Sequence, residues 1–207
     1  MLGKREFQMC SYTVKFDSGF ASNPFGGYCT IAACTPNHMV MKLNIGDWIL
    51  GHATVEEGQG LIDAMRISEK LDFDEYYHDR RFAAKKPQAK VTWKEKCGDN
   101  IYHRLRDRWI QDQPAIHGPS DKKKDLKHPT VFVSDHFFYF GNETIEIPNK
   151  FTDLIWARQG CKKSHAPVTI RAFIEWLEQK YRKGIHGDPR HKDRGQEAFE
   201  YQIRACK

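Results

Sequence analysis

The chain has 207 residues, 40% of them hydrophobic and 29% charged, enough for one sizeable core and short of two independent ones. Thirty-three basic against twenty-seven acidic side chains leave a net charge of +6, a mild excess that attracts polyanions without itself marking a nucleic-acid surface. No apolar run reaches the roughly 18–20 residues of a membrane span, and MLGKREFQMC lacks the apolar segment of a signal peptide, so no membrane partner and a cytoplasmic location are expected.

In chain order, residues 1–9 read as an extension. CSYTVKF at 10–16 and GYCTIAAC at 27–34 are short, β-branched and aromatic, and predict strands. Between them DSGFASNPFGG is a loop, with Pro24 presetting a turn. NIGDWILGHA at 44–53 and GQGLIDAMRISEKL at 58–71 each place a glycine turn before a strand and predict a hairpin. In the second, Leu61, Asp63, Met65 and Ile67 share one face. FDEYYHDRRF at 73–82 has helical spacing, with Asp72 as its N-cap.

Residues 83–130 are polar, basic and interrupted by prolines, too long to be one structureless loop. TVFVSDHFFYFG at 130–141 returns to strand character, split near Ser134 and Asp135. FTDLIWARQ at 151–159 predicts a short helix. VTIRAFIEWLEQKYRK at 168–183 predicts a long one, with Pro167 in its first turn, Gly184 at its end, and a stripe of Ile170, Phe173, Ile174, Leu177 and Tyr181. Residues 185–207 form a basic tail with helical character near 196–203.

Strands ahead of helices and no βαβ rhythm predict an α+β fold around a small mixed or antiparallel sheet. The absence of a P-loop and of GxGxxG excludes those nucleotide folds. Six cysteines, Cys10, Cys29, Cys34, Cys97, Cys161 and Cys206, include no CxxC pair and read as reduced thiols. His186 and His191 lack a partner Cys or Glu at a useful spacing, so neither a metal nor a cofactor is expected.

Five segments, DSGFASNPFGGYCTIAACTP, GDWILG, LIDAMRISEKLDFDEYYHDRRFAAKKP, CGDNIY and VSDHFFYFG, with HGDP at 186–189, resemble the nucleotide modification associated domain 2 family in order and pattern. The resemblance spans most of residues 10–190 and implies one domain over 10–184. It implies a bacterial or phage system that modifies nucleotides or senses modified ones, including in defence. The GDW strand, the strand after it and FDEYY are also similar to PUA-like folds. That similarity implies a partly open β-barrel with peripheral helices and an aromatic-lined base pocket.

Candidate ligand residues fall in four patches. Phe20, Phe25 and Tyr28 offer stacking faces and Asn23 a base-reading amide, or they pin the loop to the core. Trp48 is a pocket wall or a core residue. Asn100 and Tyr102, beside Asp99 and His103, could recognise a base and hold a phosphate, or form an Asx turn. Asp135 is a ligand residue within an otherwise core aromatic run. Two functions remain open: a module binding a nucleotide or modified nucleobase, free or in DNA, and an enzyme using Asp17, Asp99 or His103 as general acid or base. A homo-oligomer is compatible with either.

Overall fold

A computed structural model describes residues 6–33, 42–89, 92–158 and 160–205, with side chains through residue 200. Cys34 and Cys206 lie outside the described residues.

Eleven strands are described. β1 (Met9–Thr13) runs parallel to β3 (Trp48–His52) and antiparallel to the two-residue β10 (Cys161–Lys162). β3 forms the predicted hairpin with β4 (Leu61–Arg66), which pairs with β9 (His136–Tyr139); β11 (Gly184–Ile185) closes the row in parallel. The six-stranded order is β10-β1-β3-β4-β9-β11. A second, antiparallel sheet has the order β2 (Cys29–Ile31), β8 (Thr130–Ser134), β5 (Glu69–Asp72). β6 (Tyr102–Leu105) and β7 (Arg108–Gln111) make a separate hairpin within the proline-broken stretch.

One bent ribbon links the two sheets. β4 continues into β5 and β8 into β9, and the two arms stay paired on both sides of the bend. The corner is held by the Ser68 hydroxyl, which donates to Asp135 Oδ1, and by the Asp135 amide, which donates back to Ser68 Oγ at 3.2 Å. Asp135 is exposed there.

This arrangement corrects the expected PUA-like barrel. The sheets are open, and among the described residues no hydrogen-bond ladder joins the outer strands of one to those of the other. Closure needs every edge strand to find a partner. Here the ribbon folds one sheet over the other, so they pack face to face. The α+β class stands.

Alternation along each strand divides the core. Tyr12, Ile49, Met65, Phe137 and Tyr139 face the three-stranded sheet and meet Cys29, Ile31 and Phe132. Trp48, Leu50, Ala64 and Phe138 face the opposite way, onto helix α4 (Pro167–Lys180) and a 3-10 turn at Asn149–Leu154, which replaces the predicted helix at 151–159. In α4, Ile170, Phe173, Ile174 and Leu177 are buried, each contributing about 1.5–3 kcal/mol.

The outer face of the small sheet is capped by α1 (Phe73–His78), a 3-10 turn at Arg80–Lys85 and the β6–β7 hairpin. Asp72 caps α1 as predicted, accepting from the Asp74 amide at 2.8 Å, while Glu75 completes the capping box. Short α2 (Trp93–Lys96) and α3 (Lys122–Asp125) lie in the connections, and α5 (Lys192–Ala205) follows β11. No helix among the described residues is long and apolar enough to cross a membrane.

Candidate functional site

The residues singled out from sequence separate into four places. Asn23, Asp99 and Asn100 meet in one buried network around a residue sequence reasoning passed over, Lys85. Its ammonium donates to the Asn23 carbonyl and to Asn23 Oδ1, both at 2.9 Å. Asn23 in turn donates to the Cys97 carbonyl at 2.9 Å. Asp99 accepts from Thr30 Oγ1 at 2.6 Å and Tyr76 OH at 2.7 Å, and Asn100 donates to the carbonyls of Tyr76 and Phe82.

Burial lowers the Lys85 pKa to about 8 against the opposing pull of Asp99, and raises that of Asp99. Asn100 Oδ1 is buried without a hydrogen bond, while the other side-chain polar atoms named here are used in organising the loop.

The aromatics are spread out. Phe20 is buried against His117, with ring centroids 4.6 Å apart. Half-buried Phe25 meets Trp93 edge-on at 5.5 Å, and Tyr28 meets Phe82 at 5.3 Å. Tyr102 stacks on Phe73 and donates to Asp125 at 2.8 Å. His103 stacks on Tyr77 at 4.3 Å, with Nε2 3.3 Å from Asp112. Trp48 lies on the α4 side of the sheet, edge-on to His136 at 5.3 Å, near the Asp135 corner.

Asp17 leads to a different cluster. A single cross-strand row runs Tyr12, Gly51, Asp63, Tyr139 over β1, β3, β4 and β9 on the face toward the small sheet. A side chain on Gly51 would overlap Asp63 Oδ2 and sit 2.7 Å from Val14 Cγ2. Only glycine therefore lets the Asp63 carboxyl lie across the row toward Tyr12. The 17–23 loop roofs this floor. Tyr139 OH donates to Asp17 Oδ1 at 2.6 Å, and the Arg190 amide donates to Asp17 Oδ2 at 3.1 Å. His191 and Asp17 exchange two further hydrogen bonds, at 2.7 and 3.1 Å. Residues 188–191 thus form a strap that pins the roof shut, and Pro189 packs so tightly on Gly19 that a Cβ there would clash.

Inside, Tyr12 OH, Ser22 Oγ and Asp63 Oδ1 are buried without a hydrogen bond of normal geometry. Ser22 still lies close enough to both others to lower their pKa values. Burial, then the charge of Asp17, raises Asp63 from 3.8 to about 7. Burial also raises Asp17, against its hydrogen bond from Tyr139. Two carboxyl groups in different surroundings, one titrating near neutrality, have the makings of acid–base chemistry.

Thiols do not share in it. Cys29 lies far above its ordinary value through burial and then the Asp63 charge, and burial lifts Cys97 to about 12. Both stay protonated at neutral pH. Among the described residues no three His, Cys, Asp or Glu side chains gather as a metal site.

Sequence reasoning missed Asp63, Tyr12 and Ser22. The signal was present for Asp63: a carboxylate sharing a strand face with Leu61, Met65 and Ile67.

Fold and cluster together define an open-sheet α+β domain with a buried acid–base cluster under a glycine-containing loop. A family model, nucleotide modification associated domain 2, matches residues 7–196, and the chain belongs to that family. The family sets the chain in the context of nucleotide modification. No curated protein and no solved structure matches the chain.

Proposed function

We propose that the chain captures a nucleobase in the chamber floored by Tyr12, Gly51 and Asp63 and roofed by Asp17 and Ser22. The observation that carries this reading is the convergence of three buried polar groups, Tyr12 OH, Ser22 Oγ and Asp63 Oδ1, that make no hydrogen bond of normal geometry. Groups of this kind cost stability when left unpaired, and their clustering argues for a ligand that pairs them.

The chemistry fits a base edge. A carboxyl group titrating near neutrality offers a donor and an acceptor side by side, the pattern of a ring nitrogen next to an exocyclic group. The two hydroxyls can each donate or accept. Asp17 holds loop and strap together over the floor, so capture is coupled to their parting. In this reading Asn23 and Lys85 shape the roof, and Phe25 and Tyr28 line its outer margin.

A second reading, chemical action on the captured base, is favoured by the position of Asp63 beside Asp17. Asp63 would then give and take the proton, with Asp17 holding the neighbouring negative charge.

Calorimetric titration with a panel of ordinary and modified nucleosides and nucleotides tests the binding. One member of the panel is expected to bind, and Asp63→Asn and Tyr12→Phe each to weaken it about tenfold or more with the fold intact. Equal affinity in both variants would remove the chamber from the account, and ordered water would then be its occupant. Mass analysis of the nucleotide after incubation separates the two readings: an altered mass that Asp63→Asn abolishes makes the chain an enzyme.

A further inference from the structure

On the opposite face of the six-stranded sheet lies a furrow that the chamber does not use. Three depressions adjoin in series along it. The first, of about 230 Å³, lies between Phe7, Gly46 and Arg66. The second, of about 180 Å³, shares Phe7 and Arg66 with the first and adds His136 and Glu178. The third, of about 440 Å³, shares His136 and Glu178 with the second and extends to Tyr181, Arg182 and Lys183.

The furrow carries three cations, Arg66, Arg182 and Lys183, against two carboxylates, Asp47 and Glu178. Arg66 stands where the first two depressions join, and Arg182 and Lys183 stand at the far end; all three are exposed. The His136 ring sits between them. Burial, then the charges of Lys183 and Arg66, lower its pKa, against the opposing pull of Glu178 and Asp135, so it is neutral at pH 7. Of the acidic groups nearby, Asp47 and Asp135 are held by hydrogen bonds. Glu178 Oε1 is 2.9 Å from His136 Nε2, out of line for a hydrogen bond, while Asp47 accepts from the Gln8 and Asn44 amides and Asp135 from Ser68. Phe7, His136 and Tyr181 present half-buried rings at intervals along the furrow.

We infer that this furrow binds single-stranded nucleic acid, with phosphates on Arg66, Arg182 and Lys183 and bases against Phe7, His136 and Tyr181. A serial furrow with cations at separate stations suits an extended polyanion, where one compact pocket would suit a mononucleotide. Alternating aromatic faces and basic side chains are how proteins track a single strand without reading its sequence. The inference rests on the reading above only in taking nucleic acid as the ligand class. The furrow would present the polymer while the chamber, on the other face of the same strands, handles a base.

The test is fluorescence anisotropy of a labelled single-stranded DNA oligonucleotide across a salt series. Arg182→Glu combined with Lys183→Glu is expected to weaken binding at least tenfold and to reduce the slope of log K against log salt by about two. Tyr181→Ala is expected to weaken it about tenfold through lost stacking. The charge-preserving pair Arg182→Lys and Lys183→Arg should bind as the parent does, and all these chains should melt cooperatively.

An affinity and salt slope untouched by charge reversal would overturn the inference, as would a parent chain that binds no oligonucleotide. Competition by polyglutamate as effective as by unlabelled oligonucleotide would make the furrow a protein-binding surface and overturn it as well. Asp63→Asn keeps the two proposals apart: it should weaken capture of the free base about tenfold while leaving the salt slope of oligonucleotide binding unchanged.

Discussion

Phe138 and Tyr139 are neighbours on β9, yet they belong to opposite worlds. Tyr139 points into a closed polar cluster where Asp63 and Asp17 are almost wholly removed from solvent. Phe138 underlies a furrow whose charged groups, Arg66, Arg182 and Lys183, all reach water. Period-two alternation alone separates them. The difference shows how one pair of strands can carry two kinds of electrostatics. Burial turns acids into proton-exchanging groups on one side, while the other side leaves its charged groups in water.

The largest expected break in this comparison is at the chamber's roof. Lys85→Met removes the buried cation that faces Asp99 and shapes the loop at Asn23, and should cost about 3–5 kcal/mol in urea unfolding. Adding Asp99→Asn should return part of that loss by removing the carboxylate left without its countercharge. A neutral effect of Lys85→Met would mean that the roof does not depend on this network.

A smaller effect, and a sharper one, comes from pH. Folded Asp63 keeps its proton up to about pH 7, whereas the unfolded side chain releases it near 3.8. Between those limits the folded state binds the extra proton, so this group makes stability fall as pH rises through the window. Asp63→Asn should flatten that slope and leave the variant a few kcal/mol better placed at pH 8 than at pH 4, relative to the parent. Chemical denaturation at a series of pH values measures it, and parallel curves for the two chains would contradict the buried charge.

The smallest effect belongs to the strap. Arg190 pairs with Glu57 at 2.9 Å near the surface. Arg190→Ala should cost no more than about 1 kcal/mol. Because the Arg190 backbone amide still reaches Asp17, the roof should remain, but ligand association should quicken. Stopped-flow binding would detect it, and an unchanged association rate would show that the strap does not limit access.

Much of the fold was legible from the chain. The β3–β4 hairpin, the N-cap at Asp72, helix α4 with Pro167 in its first turn, and the interruption at Ser134 and Asp135 all rest on local chemistry that twenty residues contain. The barrel expectation failed at a point local chemistry does not reach. Whether β10, β11 and β2 find one another depends on how far the ribbon bends at Ser68, and that bend is a tertiary contact across 67 residues.

The chamber was harder still. In the sequence Asp17 is a candidate general acid or base in a loop, and Asp63 shares a strand face with Leu61, Met65 and Ile67. Only the register of four strands brings Tyr12 and Asp63 onto one row and lowers the loop over them. The aromatics Phe20 and Tyr102 drew attention for the same reason that they fill the core, since large rings bury the most area.

The strap also bears on how the protein is made. Asp17 is made before the amide of Arg190 that holds it, which lies 173 residues further along. Until that stretch is made, Lys85 and Tyr139 can hold the loop at Asn23 and Asp17, and the strap cannot. The roof is complete only once residues 188–191 have docked on it.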